Sequence, residues 1–287
     1  MSKTIFITGT NSGFGKLMVF TLSKAGYRVI AGMRDIGARN RAVAAELAAL
    51  PNVDIAEIDI TSDESVTKAF ETVLAKHGTI DVLVNNAAVT GYGLLEAYSL
   101  DRIRQMFEVN FYGVIRTYQA VLPAMRAAKS GLIINITTGA SGHTLPFMIP
   151  YFASKFGVES ITEGIQEELA QFGIENVSIQ PGVYPTEMNR NGAKTGVSSD
   201  KPAITAAYDP IGSQQFAALG AGLFGKMVEF KMDPQVIADG VLALVEMKAG
   251  TRPLRYPLDA IAQGTDIEFI EARARIKAKW LTKYTAQ

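Results

Sequence analysis

The chain has 287 residues, long enough to bury a large core, and its 48% hydrophobic against 20% charged composition excludes a disordered or solvating polymer. Lys+Arg and Asp+Glu stand at 28 each, and a formal net charge of +0 argues against a protein built to neutralise nucleic-acid phosphates or an anionic membrane. Cysteine is absent, which excludes disulfides, thiolate catalysis and cysteine-ligated zinc or iron–sulfur centres.

The elements follow in alternation. Thr4–Thr8, Arg28–Ala31, Val53–Ile58, Asp81–Asn85, Leu132–Thr137 and Val177–Gln180 read as strands, each a nearly continuous apolar run. Lys16–Lys24, Ala38–Leu50, Ser62–Lys76, Leu100–Ala128 and Ala153–Phe172 read as helices, with Ser62 and Ser99 in N-cap positions. Unbroken apolar strands require cover on both faces, and strand–helix alternation implies parallel pairing with right-handed crossovers. The expected fold is α/β, a doubly wound, mostly parallel sheet with helices on both sides, in a single domain. After Pro181 the pattern changes. Residues 184–232 are rich in Gly, Ala and Ser, show no clear strand, and read as an irregular lid or binding loop. Regularity returns over 233–287 as a C-terminal extension: a helix near Pro234–Met247, a short strand near Pro253–Tyr256 and a helix near Asp266–Tyr284. No apolar run approaches the roughly 18 residues of a membrane span, and Met1–Lys3 leads straight into a strand, so a cytoplasmic protein is expected.

Chemistry enters at the first strand–helix junction. Thr8-Gly9-Thr10-Asn11-Ser12-Gly13-Phe14-Gly15 combines a tight turn with a helix N-terminus, where free N–H groups suit a pyrophosphate. The second strand ends in Met33-Arg34-Asp35. Arg34 there would clamp a 2′-phosphate and favour NADP(H), whereas Asp35 offers a competing ribose contact. Tyr151 and Lys155 stand one helical turn apart, so both can face one crevice. A neighbouring ammonium, helped by the positive ring of an oxidised nicotinamide, would draw the phenol well below its usual pKa and make it an acid–base group. His77 reads as a helix end, and His143 as a loop residue with a structural or solvent-facing role. Neither falls in an H-E-x-x-H pattern, and no metal is expected.

Taken together, T-G-x-x-x-G-x-G at 8–15, Asp59-Ile60, Asn85-Asn86-Ala87-Ala88, Asn110, Tyr151-x-x-x-Lys155 and Pro181-Gly182 followed by Thr186 resemble the short-chain dehydrogenase/reductase family. The Met33-Arg34-Asp35 run and the long tail are similar to the hydroxysteroid and retinol dehydrogenase-like members. The resemblance implies a Rossmann-type sheet and hydride transfer between NADP(H), less readily NAD(H), and a carbonyl/secondary alcohol pair. It implies that Asn110, Thr138, Tyr151 and Lys155 are catalytic. Thr138 stands where the family usually has serine, and Ser141 is an alternative hydroxyl. The cofactor would be held by Gly9, Asn11, Ser12, Gly13, Phe14, Gly15, Arg34, Asp59, Ile60, Asn86, Ala87, Ala88, Tyr151, Lys155, Pro181, Gly182, Val183 and Thr186. Leu145, Phe147, Met148 and Met188 suggest a fairly apolar ketone as substrate. The expected partners are this small molecule and further copies of the chain, as a homodimer or homotetramer, with no nucleic acid and no membrane. A non-catalytic NADP-binding sensor is the alternative from another class.

Overall fold

The computed structural model describes residues 2–139, 142–189 and 196–284. Among the described residues, seven strands form one sheet in the order β3-β2-β1-β4-β5-β6-β7: β1 Thr4–Thr8, β2 Arg28–Met33, β3 Val53–Glu57, β4 Val82–Asn85, β5 Gly131–Ile136, β6 Ile174–Pro181 and β7 Arg255–Leu258. Every neighbouring pair is parallel, in register from Ile5 opposite Val29 and Val82 through to Ser178 opposite Arg255. The strand order reverses between β1 and β4, which opens a crevice at their carboxyl ends.

The connecting helices are α1 Gly13–Lys24, α2 Arg41–Ala48, α3 Asp63–His77, α4 Leu100–Phe107, α5 Gly113–Ala128, α6 Ile149–Gly164 and α7 Gln166–Ala170. Four more follow: α8 Pro202–Ala207, α9 Ile211–Glu229, α10 Gln235–Glu246 and α11 Thr265–Leu281. The sheet carries one core on each face, because successive strand residues point to opposite sides. Ile5, Ile7, Val29 and Val84 pack with Met18, Leu22, Ile237 and Val241 of α1 and α10. Phe6, Ile30, Leu83 and Ile133 pack with Phe70, Tyr118, Val121 and Val158 of α3, α5 and α6, and the Phe6 and Phe70 rings stack at 4.6 Å.

The cap assignments hold in atomic detail. Ser62 accepts from the Ser65 N–H at 3.2 Å, and Ser99 accepts from the Arg102 N–H at 3.3 Å. His77 ends α3 before Gly78 at φ +76°, with Nε2 2.7 Å from the Asp54 carboxylate. Three expectations need correction. The long helix expected over Leu100–Ala128 is interrupted by a π-helical turn at Glu108–Tyr112. The helix expected from Ala153 starts at Ile149, with Pro150 in its first turn, and ends at Gly164. The stretch expected to be irregular over 184–232 carries α8 and the 19-residue α9. Four glycines in α9 weaken its propensity, and Gly212 is its only buried residue, so no apolar stripe announces it.

Candidate active site

A cavity of about 1130 Å³ opens at the carboxyl ends of the strands. Its floor is the turn between β1 and α1, where Gly9 takes φ +71° and Gly13 takes φ +52°, left-handed values that side chains disfavour. Thr8 Oγ1 accepts the N–H groups of Asn86 and Ala87, both at 3.1 Å. Asn86 Nδ2 donates to the carbonyls of Thr8 at 2.9 Å and Gly9 at 3.0 Å. The side-chain amide of Asn86 is thus spent on clamping the turn, although the residue lines the cavity beside Ala87 and Ala88. Gly9, Asn11, Ser12, Gly13 and Phe14 line it, and Gly15 does not. Gly15 lies beneath the turn, where a Cβ would come within 2.2 Å of the Gly9 carbonyl oxygen, so its smallness serves packing.

These residues fit a dinucleotide. Ser12 caps α1 in extended conformation, its side chain makes no capping bond, and the first turn holds no acidic residue. The positive end of the helix dipole is therefore open to an anion. Arg34 lines the cavity at the end of β2, its guanidinium 3.8 Å from the Asp59 carboxylate. Asp35 takes φ +53°, pairs with Arg39 at 3.6 Å and is absent from the lining. Burial works to raise the Asp59 carboxyl, but bonds from the Thr61 N–H and hydroxyl, with the Arg34 charge, outweigh it and hold the carboxyl below its usual range. Ile60 lines the wall next to it.

Tyr151 and Lys155 project from the first two turns of α6 into the same cavity, opposite Thr138 at the end of β5. Ser141, the alternative hydroxyl, lies outside the described residues. Lys155 is 4% exposed and donates to the Ile136 carbonyl at 2.7 Å. Burial pushes its pKa down to about 8. Burial likewise pushes the Tyr151 phenol up, and the nearby Tyr92 phenol adds to the shift. The expected acidification of Tyr151 by its neighbour is therefore reversed in the protein alone, because the same low-dielectric surroundings disfavour both charged forms.

The sign of the Lys155 shift gives a stability test. Above pH 8 the folded chain releases a proton that the unfolded chain keeps up to the ordinary value of 10.5, so this residue makes the fold more stable as pH rises through that window. Wild type should gain on Lys155→Met by at most about 1.4 kcal/mol per pH unit there. Urea midpoints compared on both sides of the window check it, and a flat difference would contradict the depressed value.

Asn110 is completely buried in the π-helical turn and does not line the cavity. Its side chain accepts from the Val89 N–H at 2.8 Å and donates to the Val89 carbonyl at 2.9 Å and to Ser154 Oγ at 3.0 Å. Ser154 in turn donates to the Tyr151 carbonyl at 2.7 Å. Asn110 therefore ties the loop after β4 to the first turn of α6, and its amide is not directed at Lys155. Sequence reasoning missed this Ser154 link.

Pro181, Gly182, Val183 and Thr186 complete the rim after β6. Gly182 is pinned by its N–H to the Leu258 carbonyl at 3.0 Å, and a Cβ there would meet Asp259 Oδ1 at 2.3 Å. Two further walls close the cavity, the first from the stretch read as a lid or binding loop and the second unforeseen. One is α9, through Ala218, Leu219, Gly222 and Leu223; the other is α11, through Thr265, Asp266 and Phe269. His143 is exposed at the mouth, edge-on to Phe269 with ring centres 6.0 Å apart. Neither wall carries a short motif that names it in the sequence.

Among the described residues no group of three or more His, Cys, Asp or Glu side chains could hold a metal ion, and no helix is long and apolar enough to cross a membrane. Residues 3–195 match the family profile described as short chain dehydrogenase. The chain is 32% identical over 258 residues to the uncharacterized oxidoreductase YusZ of Bacillus subtilis, covering 89% of both chains. It is 36% identical over 189 residues to human retinol dehydrogenase 8, covering 64% of this chain and 60% of that one. Among solved structures, it is similar to the gluconate 5-dehydrogenase of Burkholderia cenocepacia in complex with NADP and tartrate, with TM-score 0.62, 30% identity and coverage of 66% of this chain and 75% of the other. Profile, relatives and the parallel sheet with its glycine turn agree: this chain belongs to the short-chain dehydrogenase/reductase family of oxidoreductases.

Proposed function

We propose that the protein transfers a hydride between NADP(H) and a fairly apolar carbonyl/secondary alcohol pair. One observation carries the reading: Tyr151, Lys155 and Thr138 share a single cavity with the glycine turn and Arg34. The cofactor, held by the glycine turn, Arg34, Asp59, Ile60, Ala87, Ala88 and the rim from Pro181 to Thr186, would supply or accept the hydride. Tyr151 keeps its proton through the neutral range because burial raises its pKa, which suits a group that donates to a carbonyl oxygen during reduction. In the reverse direction the Lys155 ammonium, fixed on the Ile136 carbonyl, is the nearby charge that favours the phenolate. Thr138 offers its hydroxyl to orient the substrate oxygen, and Asn110 acts through the start of α6. Leu145, Met148, Leu219, Leu223 and Phe269 give the substrate end its apolar lining.

The NADP in the gluconate 5-dehydrogenase structure supports the cofactor class, and Arg34 supports the choice within it. Arg34 is half-exposed, and its guanidinium stands 3.8 Å from the Asp59 carboxylate, a separation that leaves donors available to a phosphate. Ketones, aldehydes and alcohols assayed with both nicotinamide cofactors test the reading: carbonyl-dependent oxidation should favour NADPH. Arg34→Ala is expected to raise KM for NADPH about tenfold or more, while KM for NADH stays nearly unchanged. Equal effects on the two cofactors would remove Arg34 as the selector. Exposed Leu100, Tyr112 and Ile149, on and beside the helices near Asn110 and Tyr151, support a homo-oligomer formed through that face.

A further inference from the structure

An ion cluster runs behind the catalytic helix and reaches the end of the chain. Glu159, one turn after Lys155, is 1% exposed. Its Oε1 accepts from Arg255 Nε at 2.5 Å and its Oε2 from Ser178 Oγ at 2.6 Å. Ser178 Oγ lies 2.7 Å from Thr137 Oγ1, on the residue before Thr138. One turn further along α6, Glu163 receives a second nitrogen of Arg255, together with Arg273 at 2.7 Å and Lys277 at 2.5 Å from α11.

The two halves of this cluster differ in burial. Glu159 and Arg255 form a core pair whose disruption would strand a buried charge. Arg273 and Lys277 are 34% and 42% exposed at the side chain, so their attraction to Glu163 is screened by salt and can be removed without opening the core. Yet α11 has no buried residue along its 17 positions, so it lacks the apolar anchoring that holds α1 or α10 to the sheet. Its first turns nevertheless form a cavity wall through Thr265, Asp266 and Phe269.

We propose that Glu163, Arg273 and Lys277 form a latch that fixes the α11 wall against α6, and so sets the size of substrate that reaches Tyr151. These are positioning residues, and their effect on substrate rests on the function proposed above. The two long cations sit one turn apart on α11 and converge on a single carboxylate of the helix that carries Tyr151 and Lys155. Release would let Phe269 move away from the mouth while the glycine turn and the catalytic helix keep their places.

The test is the double variant Arg273→Met and Lys277→Met, which keeps much of each side chain's apolar stem. KM for the preferred apolar carbonyl should shift about fivefold, with kcat and KM for NADPH changed less than about twofold. Trp280, the chain's single tryptophan and three residues past Lys277, reports the helix directly. Its acrylamide quenching should rise in the variant, and wild type should show the same rise in about 0.5 M KCl. The charge-preserving swap Arg273→Lys with Lys277→Arg should restore both readings. Unchanged Trp280 quenching overturns the latch, as does a fall in kcat with KM unmoved. If wild type turns over no carbonyl or alcohol, the proposed function fails, and Trp280 quenching still decides whether the latch holds α11.

Discussion

Tyr151→Phe is expected to lower turnover by about a thousandfold while leaving NADPH affinity within about twofold of wild type. The substitution removes one oxygen and keeps the ring, including its contact with Phe152 at 5.5 Å between centres, so the start of α6 has no reason to move. That start is held independently by Asn110 through Ser154 and by the Lys155 bond to Ile136. What disappears is the proton held at the hydroxyl. Burial keeps that proton in place near neutral pH, so a carbonyl oxygen gaining charge loses its donor. Single-turnover oxidation of NADPH, measured beside a nucleotide fluorescence titration, separates chemistry from binding. Retention of a tenth of wild-type turnover with binding intact would remove Tyr151 from the proton path. Loss of both turnover and binding would make its role structural.

How far the site could be read beforehand depended on the range over which each interaction acts. Tyr151 and Lys155 share a helix, and their four-residue spacing fixes their relative direction whatever the tertiary contacts. The glycine turn was equally legible, since a strand, a short glycine-rich turn and a helix are all local. Gly15 was the exception. Its reason for being glycine lies in the Gly9 carbonyl and the Asn86 amide, and a glycine next to a ligand and one under a backbone look alike in sequence. Asn110 is a related case. Its position in the chain was found, but its partners Val89 and Ser154 lie 21 and 44 residues away, and only packing reveals those bonds. Asp35 was a local case that spacing does not encode, because it takes a positive φ and pairs with Arg39.

The acid–base electrostatics depend on surroundings that residue spacing does not carry. Proximity of an amine argues for an acidic phenol, and the ammonium does favour the phenolate, but desolvation acts against it. Lys155 is itself pushed down to about 8, and desolvation dominates both groups. A sequence supplies the pair but not the dielectric around it. The same limit hid the helical form of α9 and the cavity role of α11. Neither has a buried apolar stripe for amphipathic periodicity to reveal, although together they supply much of the cavity's substrate-end wall.

Gly15→Ala sets two effects of opposite sign against each other at one position. Gly15 lies inside α1, where alanine should gain about 1 kcal/mol from backbone entropy alone. A methyl group there, however, would stand 2.2 Å from the Gly9 carbonyl oxygen and 2.6 Å from Asn86 Nδ2. The first is backbone, and the second is a clamp already committed to Thr8 and Gly9, so neither can give way cheaply. Overpacking of this kind costs about 1–3 kcal/mol, enough to cancel the helical gain and reverse it. The displaced atom belongs to Gly9, whose turn lines the cavity, so the strain relaxes into the site itself. The variant should therefore unfold at lower urea and bind NADPH at least about tenfold more weakly. Gly220→Ala in α9 is the matched control. It too replaces a helical glycine, but its Cβ would meet nothing within 4 Å, and it should gain up to about 1 kcal/mol with nucleotide affinity unchanged. If Gly15→Ala instead gained stability as the control does, the close approach of α1 to the turn would be wrong, and with it the account of how this sequence shapes its nucleotide site.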